Sequence, residues 1–210
     1  MAQESKSLCL IKDRYFQVRF TVPRRLVGMK TTFLLLILPL GYLLPVNAGE
    51  TVKVKDHRYP VQIEAQDSTW MIQGTEHFKY KAIFSVFTAA LYTRKEGEGQ
   101  KLHFTYTREL KADDLRKKAM ETLQKQHDEQ TLALYTALTE QMQSAYVNVK
   151  EGDAYIVTVH PDKGTWLHFN DREVFYTENA AFGKWYMGIW LGDPPVNASL
   201  KKALMESTPL

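Results

Sequence analysis

Between Glu76 and Thr93 the even positions Phe78, Tyr80, Ala82, Phe84, Val86, Thr88, Ala90 and Tyr92 form an almost unbroken apolar or aromatic series. Period two is the signature of a strand, and this run predicts one long strand around which the chain is organised. Its odd positions pass from His77, Lys79 and Lys81 to Ile83, Phe87, Ala89 and Leu91. The first half is therefore expected to keep one wet face and the second to be covered on both, as a central strand is. Upstream, Thr51 to Lys55 and Trp70 to Gln73 read as short edge strands feeding the long one. Downstream, the turn EGEGQ leads into Leu102 to Thr107, whose alternation predicts a hairpin with the long strand.

From Lys111 the period changes. Asp113 and Asp114 stand in a first helical turn, where the helix dipole favours carboxylates, and Leu115, Ala119 and Leu123 recur every four residues. A second helix, from about Asp128 to Ala145, carries Leu134, Leu138 and Met142 with Tyr135 beside them, so each helix is expected to lay one stripe on a sheet. Tyr155 to His160, Thr165 to Phe169 and Glu173 to Thr177 follow as strands, separated by Pro161-Asp162-Lys163-Gly164 and Asn170-Asp171. They predict a three-stranded antiparallel meander. Asn179 can cap a helix over 180–191, with Phe182, Trp185, Tyr186 and Ile189 on one stripe and Gly192 and Pro194-Pro195 as its stop. A short helix over 198–205 ends the pattern. This order implies an α+β domain, a large antiparallel sheet with helices layered on one face.

The start of the chain has a different pattern. Lys30 follows Met29, an apolar core runs from Phe33 to Leu44, and Val46 and Ala48 precede Gly49, the layout of a secretory signal peptide cut after Ala48. The apolar core, interrupted by Pro39, Gly41 and Pro45, is short of the ~20 residues that span a bilayer. The expected organisation is an upstream extension over 1–28 with translation starting at Met29, a leader over 29–48, and a domain over 49–210, exported to a bacterial periplasm with no membrane span after cleavage. Export also changes the charge picture. Seven basic and two acidic residues precede Gly49, and taking these from the chain totals of 27 and 24 leaves 20 basic and 22 acidic. A nearly neutral domain argues against a nucleic-acid partner. The only cysteine, Cys9, falls outside it, so no disulfide is expected.

No phosphate-binding glycine loop, nucleophile elbow, His-Glu-x-x-His or Cys-x-x-Cys occurs, and no cofactor is expected. Of the six histidines, His160 and His168 come nearest through a hairpin. A pairing of His160 with Thr165 would send their imidazoles to opposite faces, so no metal site is expected. Lys79 and Lys81 stand where a covered sheet opens to water. They can hold a carboxylate or phenolate at the rim of an apolar slot, or simply extend into solvent. Arg108 has the same two readings, an anion contact or a structural pair with Glu109, Asp113 or Asp114. The Phe182, Trp185 and Ile189 stripe reads as core, and Asn197-Ala198-Ser199 matches a glycosylation triplet.

The runs FSVFTAALYT, LHFTYTRELKADDLRKKAMETL and VKEGDAYIV, and above all FGKWYMGIWLGDPPVNASLKKALM, resemble the bacterial chalcone isomerase-like proteins over about Gly74 to Met205. The Gly-Ile-Trp-Leu-Gly-Asp-x-Pro piece is the most specific. The resemblance implies an open-faced β-sandwich with a ligand cleft between sheet and helices. Plant enzymes of this fold close a chalcone to a flavanone, an arginine on the long strand stabilising the developing charge. Other members bind fatty acids, the carboxylate held by an arginine and a tyrosine. In many bacterial relatives a Gly-x-Gly-x-Arg precedes the long strand, whereas here Gly74-Thr75-Glu76-His77-Phe78-Lys79 lacks the second glycine and carries lysine in the arginine's place. Lysine keeps the charge without the bidentate fork, which argues against ring closure and leaves monoanion binding open. The resemblance also implies that Thr88 and Tyr135 supply hydroxyls to the cleft. The candidate ligand contacts are thus Lys79, Lys81, Arg108, Thr88, Tyr106 and Tyr135, for a small amphipathic or phenolic ligand. The alternatives are an intramolecular lyase acting on a phenolic enone, and a domain whose own aromatics fill the cleft and whose surface serves another protein.

Overall fold

The computed structural model describes residues 49–206; the expected leader and the extension before it lie outside the described residues. The run from Glu76 to Thr93 forms two strands rather than one, β4 (Ser68–Tyr80) and β5 (Phe84–Arg94), folded on each other through Lys81, Ala82 and Ile83. Period two does not register the reversal because the turn lacks the Asn-Gly or Asp-Gly that usually marks one. Lys81 and Ala82 instead both adopt positive φ, 51° and 58°, and the Ile83 N–H donates to the Tyr80 carbonyl at 3.2 Å.

Seven strands form one antiparallel sheet in chain order: β3 (Gln62–Ala65), β4, β5, β6 (Gln100–Tyr106), β7 (Ala154–His160), β8 (Gly164–Phe169) and β9 (Arg172–Thr177). The predicted hairpin of β5 with β6 and the predicted meander β7–β9 are both present. Trp70 to Gln73 is part of β4, not a separate edge strand. β1 (Thr51–Val54) does not join the main sheet but pairs with β2 (His57–Pro60) in a separate two-stranded hairpin. Between β7 and β8 the register is one place from the expected one, His160 facing Gly164 and His168 facing Ile156. The two imidazoles therefore stand on the same face, separated by roughly 13 Å of strand. Among the described residues no cluster of His, Cys, Asp or Glu is arranged to hold a metal.

Four helices cover one face: α1 (Ala112–Gln126), α2 (Glu129–Ser144), α3 (Ala180–Leu191) and α4 (Ala198–Met205). Asn148 Oδ1 accepts from the Ala112 N–H, and Asp128, Asn179 and Asn197 cap α2, α3 and α4 with their side-chain oxygens. Ala119 and Leu123 of α1 are buried as expected, but Leu134 of α2 is exposed. A four-residue spacing advances 40° past a full turn at each step, so Leu134 has rotated away from Met142, and Tyr135, Leu138 and Thr139 make the inner stripe instead. The main core lies between these helices and the odd residues of β5, the even ones of β6 and the odd ones of β7, including Leu91, Leu102, Phe104 and Val157. A smaller apolar cluster, Val54, Tyr59, Trp70, Ala90 and Tyr92, lies under the β1–β2 hairpin on the other face.

Candidate functional site

Sheet and helices do not pack solidly along their whole length. Near the β4–β5 turn they separate around a cleft of about 750 Å³, within the range of small-molecule sites. Its floor is Phe78 and Tyr80 of β4, Val86 and Phe87 of β5, Phe104 and Tyr106 of β6, and Tyr155 and Val157 of β7. Its roof is Leu115 and Ala119 of α1, Ile189 and Trp190 of α3, and Leu200 of α4. Phe78 stacks on Phe87 at 4.9 Å between ring centroids, Phe87 meets Phe104 edge-on at 5.2 Å, and Phe104 packs on Trp190 at 4.9 Å. These pairs fix one continuous aromatic wall.

A bulge places the floor. Phe78 faces Phe87 but Lys79 faces Ser85, leaving Val86 without a partner so that both Val86 and Phe87 border the cleft. Ser85 is thereby turned to the opposite face, where its hydroxyl shares hydrogen bonds with His77 Nε2 at 2.8 Å and Thr107 Oγ1 at 2.6 Å. The roof is held by polar ties between helices. Gln126 Nε2 donates to the carbonyls of Gly188 and Pro194 at 2.7 and 2.8 Å, and Arg116 donates to those of Gln143 and Tyr146 at 3.1 and 3.0 Å.

Four tyrosines, Tyr80, Tyr106, Tyr146 and Tyr155, line this cleft. The Tyr155 hydroxyl accepts from the Val147 N–H at 2.9 Å, and Tyr146 shares a 2.9 Å bond with Tyr186. The Tyr106 hydroxyl has no hydrogen-bond partner among the described residues, although its residue is only 7% exposed. Burial, reinforced by Tyr155 and Tyr186, holds its ionisation well above the usual tyrosine range, so it stands in the cleft as a neutral donor. Arg108, Asp114 and Lys118 line the cleft where it reaches solvent. Asp113 pairs with Arg116 at 2.7 Å, and Arg108 makes no ion pair with any described residue.

Of the six candidate contacts, the structure brings Tyr106 and Arg108 together on the cleft and places the other four elsewhere. Lys79 alternates with Phe78 and Tyr80 and so points to the opposite face, near His77, whose protonation is disfavoured by burial and then by the Lys79 charge. Lys81 sits in the turn with its ammonium 5.5 Å from the Tyr80 ring centroid. Thr88 is fully buried under β1–β2, bonded to Tyr59 at 2.7 Å and His57 at 2.9 Å. Tyr135 packs on Trp185 at 4.8 Å, inside the helical layer. The cleft also takes Tyr155 and Trp190, which the sequence pattern does not single out. Tyr155 was legible as sharing parity with Val157, and Trp190 as lying in the Gly-Ile-Trp-Leu-Gly-Asp stretch. Asp114 and Lys118 gave a weaker signal, each one residue from the Leu115-Ala119 stripe. Asn197, of the glycosylation triplet, uses its side chain on the Leu200 N–H.

A family model described as chalcone isomerase-like matches residues 51–206. Among solved structures, a fatty-acid binding protein of Arabidopsis thaliana superposes with a TM-score of 0.56 at 11% identity, over 74% of this chain and 96% of that one. At that identity the likeness establishes the fold, an α+β arrangement of curled antiparallel sheet and four helices. Comparison with curated protein sequences gave no match.

Proposed function

Because the chain belongs to the chalcone isomerase-like family, we propose that it binds a small amphipathic anion, such as a fatty acid, in the cleft between sheet and helices, without catalysis. One observation carries the reading: aromatic and aliphatic walls converge on an unpartnered, neutral Tyr106 hydroxyl, with the Arg108 guanidinium at the rim. This hydroxyl opens onto the cleft and is free to donate to an anionic oxygen placed there. The tail would take the apolar surface from Phe78 to Trp190. The solved fatty-acid binding protein of the same fold is consistent with this use. Ring closure of a phenolic enone would call for a cation on the long strand directed into the cleft, and Lys79 points away from it. The leader over 29–48 adds export to the proposal, which puts the site outside the cytoplasm.

The protein purified without added ligand is expected to release a fatty acid on extraction, seen by mass spectrometry, and the delipidated protein to bind palmitate. Tyr106→Phe removes a hydrogen bond to a charged group, worth about 1.5–3 kcal/mol, or roughly 10–100-fold in affinity. It should leave folding stability unchanged or slightly raised, since no protein partner is lost. Arg108→Ala should weaken palmitate more than palmityl alcohol. A protein that emerges empty and binds neither probe would overturn the reading; chalcone turnover above the spontaneous rate would restore the lyase.

A further inference from the structure

The β4–β5 turn is the most apolar exposed feature of the described residues. Ile83 is 76% exposed, Tyr80 56% and Phe84 51%, all three within five residues around one reversal of the chain. From His77 to Phe87 the sequence HFKYKAIFSVF contains two lysines, one histidine and no acid. Lys79 and Lys81 are both exposed and neither forms an ion pair with a described residue. Lys81 and Ala82 both hold positive φ, a conformation that costs non-glycine residues energy, so the chain makes a tight projection here from residues chosen for something other than the turn.

Large apolar side chains interleaved with lysine and tyrosine on a convex tip match the chemistry of a bilayer interface. The rings and the isoleucine enter the headgroup and acyl boundary, while the ammonium groups meet anionic lipid. A protein partner or a second copy needs about 800 Å² from each side for a stable interface, more than a single turn presents. We propose that this tip docks the protein on a lipid surface bearing anionic headgroups. Tyr80 belongs both to the tip and to the cleft, so a docked molecule has its cleft beside the membrane. Docking itself does not depend on what the cleft holds, and it is read without any ligand.

The test places an environment-sensitive NBD label on Ile83→Cys in a Cys9→Ser chain, with Glu98→Cys, in the loop at the other end of β5, as the reference position. Vesicles of phosphatidylcholine containing phosphatidylglycerol should blue-shift and brighten the label at 83 and leave the label at 98 unchanged. Adding salt should reverse the effect. Lys79→Gln with Lys81→Gln should lower the partition coefficient about ten-fold or more. No shift at 83, equal shifts at 83 and 98, or equal partition onto pure phosphatidylcholine would each overturn the proposal. A label at 83 already shielded in a dimer before vesicles are added would assign the tip to a second copy instead. Palmitate binding that persists in a protein with no vesicle response would sink docking while leaving the cleft reading intact.

Discussion

Tyr106 and His103 sit three residues apart on β6 and point to opposite faces, and both are held neutral by burial. The consequences differ because the faces differ. Tyr106 looks into an open cleft and can still bind something, whereas His103 lies edge-on to Tyr59 at 5.1 Å, with Thr105 Oγ1 3.4 Å from its Nε2. Burial, then the charges of Lys101 and His57, push the His103 imidazole down to about 4. Its folded value lies below its unfolded one, so its contribution to stability is present above pH 6.5 and is lost as pH falls from there toward 4. The size is on the order of 3 kcal/mol at full loss. Chemical denaturation across that window should show the decline, and His103→Phe should reduce it, leaving the part owed to His77, His160 and His168, which burial also holds down. A decline unchanged by the substitution would assign the effect to those other groups.

At the scale of elements, α4 is seated closely on β4. Gly74 has no side chain, and a Cβ there would run into the backbone carbonyls of Ala203 and Leu204. Gln73 Nε2, beside it at the register shift, donates to the Met205 carbonyl at 3.0 Å, pinning the same helix. Gly74→Ala must therefore push α4 away from the sheet, and α4 carries Leu200 of the cleft roof. A loss of about 1–3 kcal/mol is expected in urea denaturation, together with weaker palmitate binding. An alanine variant as stable as the parent would mean that α4 is not seated on Gly74. The bulge at Val86 acts on the opposite side of the same cleft, since it decides which residues of β5 form the floor.

For the whole molecule, the export proposal fixes where the folded chain begins. Among the described residues, β1 starts at Thr51 and pairs with β2 within its own hairpin. Protein recovered from the periplasm of an expressing bacterium should give an N-terminal sequence starting at Gly49, within a residue or two. Recovery of the intact chain from the cytoplasm alone would sink export. It would also restore the excess of positive charge that precedes Gly49 to the mature protein.

Much of the fold follows from local patterns that need no distant partner. The alternation of β6 to β9, the Asn179 cap, and the Gly192 and proline stop after α3 each declare themselves within a few residues. So do the α1 and α3 stripes and the sheet-plus-helix class they add up to. The tertiary structure decided what depends on contacts between segments. Period two ran through Lys81-Ala82 without a break because no turn residue marks the fold-back there, and only pairing of β4 with β5 reveals it. Lys79 and Thr88 kept the right parity for a strand, but which face is the cleft depends on where the helices land and on the bulge at Val86. Tyr106 and Arg108 come onto the cleft because β6 ends beside α1, a juxtaposition set by packing across the sheet and absent from any single stretch of sequence.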